Sequence, residues 1–513
     1  MTGCGPKVPR GTWVEHEELG RAHSSTNGGS GATSAGSATA KPIAIDLAKL
    51  DAATIDQLDY ATCVAVIEQL GDRKPAARVA LRAARLAHHQ GDDVDARALI
   101  ARATNAADEG EVHAELAALA AEAAETPVDR KVIAVLLPLS GRFAALGSEL
   151  RVAIELAPPE GVSWLFVDTK GEPDGAVAAV ESAWKKGAVG ILGPVGTREA
   201  TAAARAAALH GMPIGLLAPA DGADAASGVF RLVGSPADEG RAVARIAQAD
   251  SFATVAVFAP RDDVGQETAD AFAAEAVRLG LRVTKTANYD PTDGNLEPDV
   301  KQLLDLVPAR NPRLAEHLAK NPKNGWKTFS PDVPFSLLYI PDRYDRAAIV
   351  AAFLPYYGVE LRTAENMNSA QLQRKHGGHV PTVVQLVGGA GWHHPSLPVR
   401  GGEAVQGALI VDAFAGGDGG EIAADFVAAF QQKTNRTPSA AAAEAFDAAT
   451  LMAKARAAVG MTSPDPRGAL RTAIARAKLD DGACGPASMD GDGELAREPA
   501  LLEVQADQIV LVP

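Results

Sequence analysis

Aromatic side chains are scarce in this chain, 5% of its 513 residues against 47% hydrophobic residues overall. A core made of Ala, Val and Leu rather than rings depends on close helix and strand contacts, and the composition is that of an ordinary globular protein. Cysteine is nearly missing as well. Cys4, Cys63 and Cys484 form no Cys-x-x-Cys pair, which excludes a zinc finger and a disulfide framework. Basic residues are outnumbered, 49 against 64 acidic ones for a formal charge of -15, and no Lys/Arg run concentrates a positive field. A nucleic-acid groove and an anionic membrane surface are therefore poor partners for it. No apolar run approaches the ~20 residues that a membrane-spanning helix needs. What the chain does have is length, enough for about two to four domains.

The first residues, Met1-Thr2-Gly3-Cys4 followed by Gly5-Pro6-Lys7, resemble the end of a bacterial lipoprotein signal. If the true start lies upstream, Cys4 is the first mature residue and carries lipid, and that anchor is the only expected membrane contact. Ser24 to Lys41 is almost wholly Gly, Ser, Ala and Thr, too poor in apolar groups to repay its ordering entropy, so 1–42 reads as an anchor and tether. Residues 43–127 show only helical spacing, with helices expected near 52–70, 74–90, 93–107 and 111–125. Such pairs resemble tetratricopeptide-type repeats; a plain helical bundle accounts for them equally well. Cys63 falls on an apolar helix face there and is expected in the core.

From residue 130 to 513 the period changes. Val132 to Leu137 is a continuous apolar run of strand length, and strands at 163–168, 188–192 and 213–217 alternate with helices at 144–157, 174–186, 198–210 and 236–249. A second series runs through strands 253–258, 281–287, 335–340 and 382–387 with helices 265–279, 296–306 and 344–357. The fold class is α/β: mostly parallel sheets with helices on both faces, in two lobes at about 130–249 and 252–400. The Pro-rich stretch 307–334 reads as a surface insertion. Elements beyond 405, including helices 421–434, 438–459 and 466–477 and the strand-like Leu501–Val504 and Ile509–Val512, are expected to return and complete the lobes.

Several phrases stand in order: Ile133-Ala134-Val135-Leu136-Leu137-Pro138-Leu139-Ser140-Gly141-Arg142-Phe143, Gly190-Ile191-Leu192-Gly193-Pro194-Val195-Gly196-Thr197, Gly211-Met212-Pro213-Ile214, Val229-Phe230-Arg231 and Phe446-Asp447-Ala448-Ala449. Together they resemble the type I periplasmic binding proteins, which include the leucine-binding proteins and the penicillin-binding-protein activators. The resemblance implies two Rossmann-like lobes joined by three crossovers, a ligand in the cleft, no enzymatic step and no cofactor. It agrees with the expectation that ligands of open parallel sheets sit beyond the carboxyl ends of the strands.

On that basis the expected ligand-binding residues are Ser140, Arg142 and Phe143 after the first strand, Thr197 as a helix N-cap, Ala220 and Asp221 in the Ala218–Gly222 turn, Asp262, Asp342 and Trp392. In amino-acid-binding members an acid pairs the ligand ammonium; here the matching place is Ala390, which puts simple amino-acid binding in doubt. The helical module, the lipoprotein-like start, the phrase Gly388 to Trp392 and Ile340-Pro341-Asp342 resemble the activator branch. That implies a periplasmic or outer-membrane lipoprotein whose partner is a peptidoglycan synthase and whose cleft takes an amino acid or peptidoglycan fragment. An amino-acid transport protein serving an ABC permease, and a scaffold whose cleft has lost its ligand, are the rival readings.

Other motifs lead nowhere. Ser182-Ala183-Trp184-Lys185 has the Ser-x-x-Lys spacing of penicillin-recognising enzymes without their partner motifs. His376, His379, His393 and His394 lie in Gly-rich loops without metal-ligand spacing, His16-Glu17 lacks a zincin pattern, and His88-His89 reads as a helix surface. Asp490 to Glu494 reads as a turn rather than a calcium loop. No nucleotide-binding glycine motif follows the first strand, and Glu199, Asp262 and Asp263 have no nucleophile or metal beside them.

Overall fold

The computed structural model describes residues 47, 50–90, 93–106, 110–125, 128–219, 222–363, 368–376, 378, 380–460, 463 and 465–512. The lipidation site proposed at Cys4, the 24–41 tether, Ala220, Asp221 and His379 lie outside the described residues.

The N-terminal module is helical: Ala52–Ile55, Tyr60–Leu70, Ala76–Gln90, Asp93–Ala106 and Gly110–Glu125. The single helix expected over 52–70 is two, because Asp59 takes an extended conformation and its carboxylate accepts the N–H of Thr62 at 2.7 Å, capping a new helix. Ile55, Cys63, Val66, Val79, Leu116 and Leu119 form its core. Burial pushes the Cys63 thiol up to about 12, so it is a small core hydrophobe rather than a nucleophile.

Lobe 1 carries a five-stranded parallel sheet in the spatial order Ser163–Asp168, Asp129–Leu137, Ala188–Leu192, Ile214–Leu216, Val229–Arg231. Side chains alternate across a strand, so Ile133, Val135 and Leu137 enter one core with Phe426, Phe446 and Met452. Ala134 and Leu136 enter another, with Ala176, Ala179, Ala200 and Ala203. Both faces are covered, which explains why the strand reads as an unbroken apolar run.

The sheet of lobe 2 runs Arg282–Tyr289, Thr254–Pro260, Leu337–Ile340, Val383–Gly388, Leu409–Asp412, Ala500–Gln505, Gln508–Leu511, with Glu360–Leu361 added beside Val383–Gly388. Its last two strands are antiparallel. The chain therefore passes between lobes three times, after Arg231, after Asp412 and after Arg497. Helices Glu421–Thr434, Ala440–Ala457 and Pro466–Ile474 return to lobe 1.

Three local features differ from the sequence reading. Helix Pro236–Ala249, assigned above to lobe 1, belongs to lobe 2: Ala242, Val243 and Ala247 pack with Phe252, Val257 and Phe272. A Ser235–Asp238 capping box starts it just past the crossover. The 307–334 insertion is not merely superficial, since Leu314 and Phe329 are buried in the lobe 2 core. The region around 490 holds a small antiparallel sheet of Lys478–Leu479, Ala487–Met489 and Leu495–Arg497, where only a turn was expected.

Candidate functional site

Each lobe presents loops at the carboxyl ends of its strands, and the sequence explains their shape. On lobe 1, Asp168 closes the loop after the first strand by accepting Ser140 Oγ at 2.6 Å and the N–H groups of Leu139, Ser140 and Lys170. Burial works to raise this carboxyl, but those four hydrogen bonds hold it below the ordinary range. The Arg142 guanidinium lies over the Phe143 ring at 4.3 Å. Ser140, Arg142 and Phe143 are all exposed on the rim.

Thr197 is shifted by one from its expected place. Gly196 is the N-cap and Thr197 the first residue of helix Thr197–Leu209, exposed at the same rim. The buried Glu199, three residues past the cap, is hydrogen-bonded to the Gly196 backbone and to Thr169; burial nevertheless raises its carboxyl.

On lobe 2, Asp262 is the N-cap of helix Asp263–Arg278, accepting the N–H of Gly265 at 2.8 Å. Asp342 is saturated. Its two oxygens take Arg346 Nε and Nη2 at 2.6 Å each and the N–H of Arg343 at 2.6 Å, and the hydroxyl of Tyr289 donates to it as well. It organises the end of strand Leu337–Ile340 and has no free carboxylate to offer.

Trp392 is fully buried in the lobe 2 core, its indole N–H donating to the Ile340 carbonyl at 3.0 Å. The expectation that it touches ligand is corrected: the indole turns inward. A Cβ on Gly388 would overlap the indole, so the Gly388-to-Trp392 spacing is a packing device in which a missing side chain makes room for a ring.

Between the lobes, against the crossovers, lies a cavity of about 630 Å³. Asp262, Asp342 and Ala390 line it, whereas Ser140, Arg142, Phe143 and Thr197 do not. Its other polar walls include Arg231, Glu239, Asp412, Glu444 and Arg497, none of which the sequence marks as a site residue, and Arg245, Arg343 and Arg346 line it as well. Arg231 pins the first crossover, pairing with Asp238 at 2.8 Å and Glu494 at 2.6 Å.

A carboxylate from another element lies beside position 390. Glu239, in the first turn of helix Pro236–Ala249, accepts the N–H of Ala390 at 2.9 Å and the hydroxyl of Tyr339 at 2.6 Å. Only a glycine at 389 leaves space for that carboxylate. From lobe 1, Glu444 on helix Ala440–Ala457 accepts the N–H of Gly234 in the crossover at 3.1 Å. Burial raises the carboxyl of Glu239, as does Asp412, against the hydrogen bonds from Tyr339 and Ala390. Burial also raises that of Glu444, with Asp412 and Asp447 adding to it against Arg497 and the Gly234 N–H.

Among the described residues neither Glu239 nor Glu444 makes an ion pair, while the side chain of Arg497, 7% exposed, pairs with Asp447 at 3.3 Å and keeps a buried Nη2 without an acceptor. No sequence signal marks these groups, because Arg231 and Glu239 come from one stretch and Asp412, Glu444 and Arg497 from three others far along the chain.

The described histidines of the late loops have separate partners: His376 meets Glu360 at 2.8 Å, His393 meets Asp412 at 2.7 Å, and His394 stacks on Tyr344.

Two lobes linked by three crossovers with a cleft against the hinge are matched by sequence. The family described as periplasmic binding protein matches residues 132–308 and 363–508, more than half of the chain. The chain belongs to the periplasmic binding protein family.

Its two-lobed α/β fold is that of the type I members of the family. A solved structure of a candidate branched-chain amino acid ABC transporter from Rhodospirillum rubrum is similar at 22% identity and TM-score 0.58, covering 74% of this chain and 99% of that one. A solute-binding protein of an ABC transporter from R. palustris, in complex with 4-hydroxybenzoate, is similar at 18% identity and TM-score 0.50, covering 74% of this chain and 95% of that one. At these identities the likeness is one of fold. No curated protein matches the chain. Periplasmic binding proteins are in general non-enzymatic ligand binders of the periplasm or cell exterior, and among the described residues no helix is long and apolar enough to cross a membrane.

Proposed function

We propose that this periplasmic binding protein is a cell-envelope receptor for a small amine-bearing ligand held between its lobes. The observation that carries this reading is the pair Glu239 and Glu444, one from each lobe, both at the first crossover and both lining the same cavity, where the arginines nearest the crossovers are engaged elsewhere, Arg231 with Asp238 and Glu494 and Arg497 with Asp447. Half-buried carboxylates that make no direct ion pair are costly, and a ligand cation between them removes part of that cost. Arg497 offers the complementary donor, through its unaccepted Nη2, to an oxygen of the same ligand. A ligand touching both lobes favours closure by its differential affinity for the closed state.

The test is thermal unfolding of the full chain with 1,5-diaminopentane, L-lysine, L-leucine and 4-hydroxybenzoate. An amine at about 100 times its dissociation constant adds about 2.7 kcal/mol of stability. Glu444→Gln should weaken that binding at least about tenfold, the loss of one charged contact. Because the amine favours the ionised carboxyls, its affinity should rise with pH through their raised pKa values. Stabilisation by 4-hydroxybenzoate alone, or by any of the three amines to an extent unchanged in Glu444→Gln, would eliminate the amine preference.

The finer role we assign is regulatory: a lipoprotein of the penicillin-binding-protein-activator kind, anchored through Cys4, that presents its helical module to a peptidoglycan synthase. Its support is that the module is seated on lobe 1, with Arg82 Nη1 donating to the Leu209 carbonyl at 2.8 Å. Cargo delivery to an ABC permease is the alternative that the transporter-derived solved structures favour. Stimulation of a reconstituted permease's ATP hydrolysis by the ligand-loaded chain would replace the regulatory role with that one.

A further inference from the structure

The seam between the helical module and lobe 1 is built from titratable rings. His89, at the end of helix Ala76–Gln90, and His210, just past helix Thr197–Leu209, both lie parallel to the indole of Trp184, with ring centroids 4.4 and 4.8 Å from it. Their own centroids are 4.3 Å apart with the planes 6° from parallel, so the imidazoles also stack on each other, and Nδ1 of His210 lies 2.9 Å from Nδ1 and 3.3 Å from Nε2 of His89. His88 and His89 are each 2% exposed and Trp184 7%, so the helix surface expected for this histidine pair is corrected: the module's docking on lobe 1 buries both rings.

The proton count of this pair follows from its neighbours. Nε2 of His210 contacts the Glu181 carboxylate and so carries hydrogen, which leaves Nδ1 of neutral His210 as a lone-pair nitrogen within reach of both ring nitrogens of His89. One added proton places a cation in the seam. A second sets two N–H groups against each other at that spacing.

The charged and titratable groups facing the pair are His88 and Arg82 from the module's own helix, Glu181 from helix Pro173–Lys185, and Arg467 from helix Pro466–Ile474. Two guanidiniums oppose a further positive charge, and the one carboxylate favours it only at His210. Burial accordingly holds both imidazoles below their ordinary range, with Arg467 adding to the effect.

We propose that this seam is an acid-sensitive latch, which docks the helical module on lobe 1 at neutral pH and releases it when His89 and His210 take up protons. The docked seam binds fewer protons than the open one. Docking is thus complete above the pKa of a free imidazole, about 6.5, and weakens as pH falls below it. At pH 5.0 the docking equilibrium drops by up to about 30-fold for each histidine that stays neutral when docked. Release would uncover Trp184 and the face of the module that now covers it.

The experiment follows the full chain at pH 7.5 and pH 5.0 by small-angle scattering and by hydrogen exchange corrected for intrinsic rate. The expected result at pH 5.0 is a larger maximum dimension and lost protection in helix Ala76–Gln90, with protection kept in the lobe 1 strand Asp129–Leu137. His89→Phe keeps a ring on the indole and removes one of the two proton sites, so its release at pH 5.0 should be weaker than that of the wild type; His210→Gln serves as the second variant should the first fail to fold. An unchanged profile in the wild type at pH 5.0 would overturn the latch. So would release as strong as the wild type's at that pH in both variants, or loss of protection in the lobe 1 strand together with the helix.

Discussion

Asp447→Ala should cost the fold about 3–5 kcal/mol, the penalty for removing one partner of a buried ion pair. Asp447 is fully buried on helix Ala440–Ala457. It accepts the N–H groups of Ala483 at 2.7 Å and Cys484 at 3.0 Å and pairs with Arg497 at 3.3 Å. Truncation leaves two backbone donors and a guanidinium without their acceptor in a place water does not reach. Those contacts also tie the small sheet of lobe 1 to its long helix, just ahead of the third crossover, so the loss should appear in the urea-unfolding transition that reports lobe 1. Asp447→Asn, which keeps the shape and one acceptor oxygen, should cost less. A loss under about 1 kcal/mol for the alanine variant would mean that Arg497 finds its counter-charge elsewhere, against this account.

Trp392→Ala is expected to destabilise lobe 2 by about 3–5 kcal/mol, the usual cost of emptying a large aromatic site in a core. The indole is enclosed with Ile340, Leu386 and Leu397 and donates to the Ile340 carbonyl. Its environment therefore supports a packing role, in contrast to the ligand contact expected from its loop position. The discriminating measurement pairs unfolding with ligand titration: Trp392→Phe, which keeps a ring, should restore much of the stability and leave ligand affinity unchanged. Affinity falling in Trp392→Phe while stability holds would return the residue to the binding site. Gly388→Ala should mimic the loss from the other side, since its methyl group would overlap the same ring.

Local patterns could be read for the elements and not for the directions of side chains. Val132 to Leu137 and Ala188 to Leu192 announce buried parallel strands because both their faces are covered. The Gly193–Thr197 turn was visible as a strand-to-helix junction, and the structure moves the cap by one residue, to Gly196. The phrase Gly388 to Trp392 was visible too, but nothing in its spacing says that the indole points into the core. Asp342 was placed at the strand end, yet its saturation by Arg346 and Tyr289 depends on a partner 53 residues away.

By itself, then, the sequence determined the class of the fold: the order of strands and helices, the helical module ahead of them and the absence of long apolar spans all follow from periodicity and composition, which act over a few residues. Tertiary structure alone decided the site. Glu239 fills the space beside Ala390 across 151 positions of chain, Glu444 reaches Gly234 across 210, and His89 meets His210 across 121. Charge balance, burial and proton sharing arise only when such groups are brought within a few ångströms, and no local pattern encodes that distance.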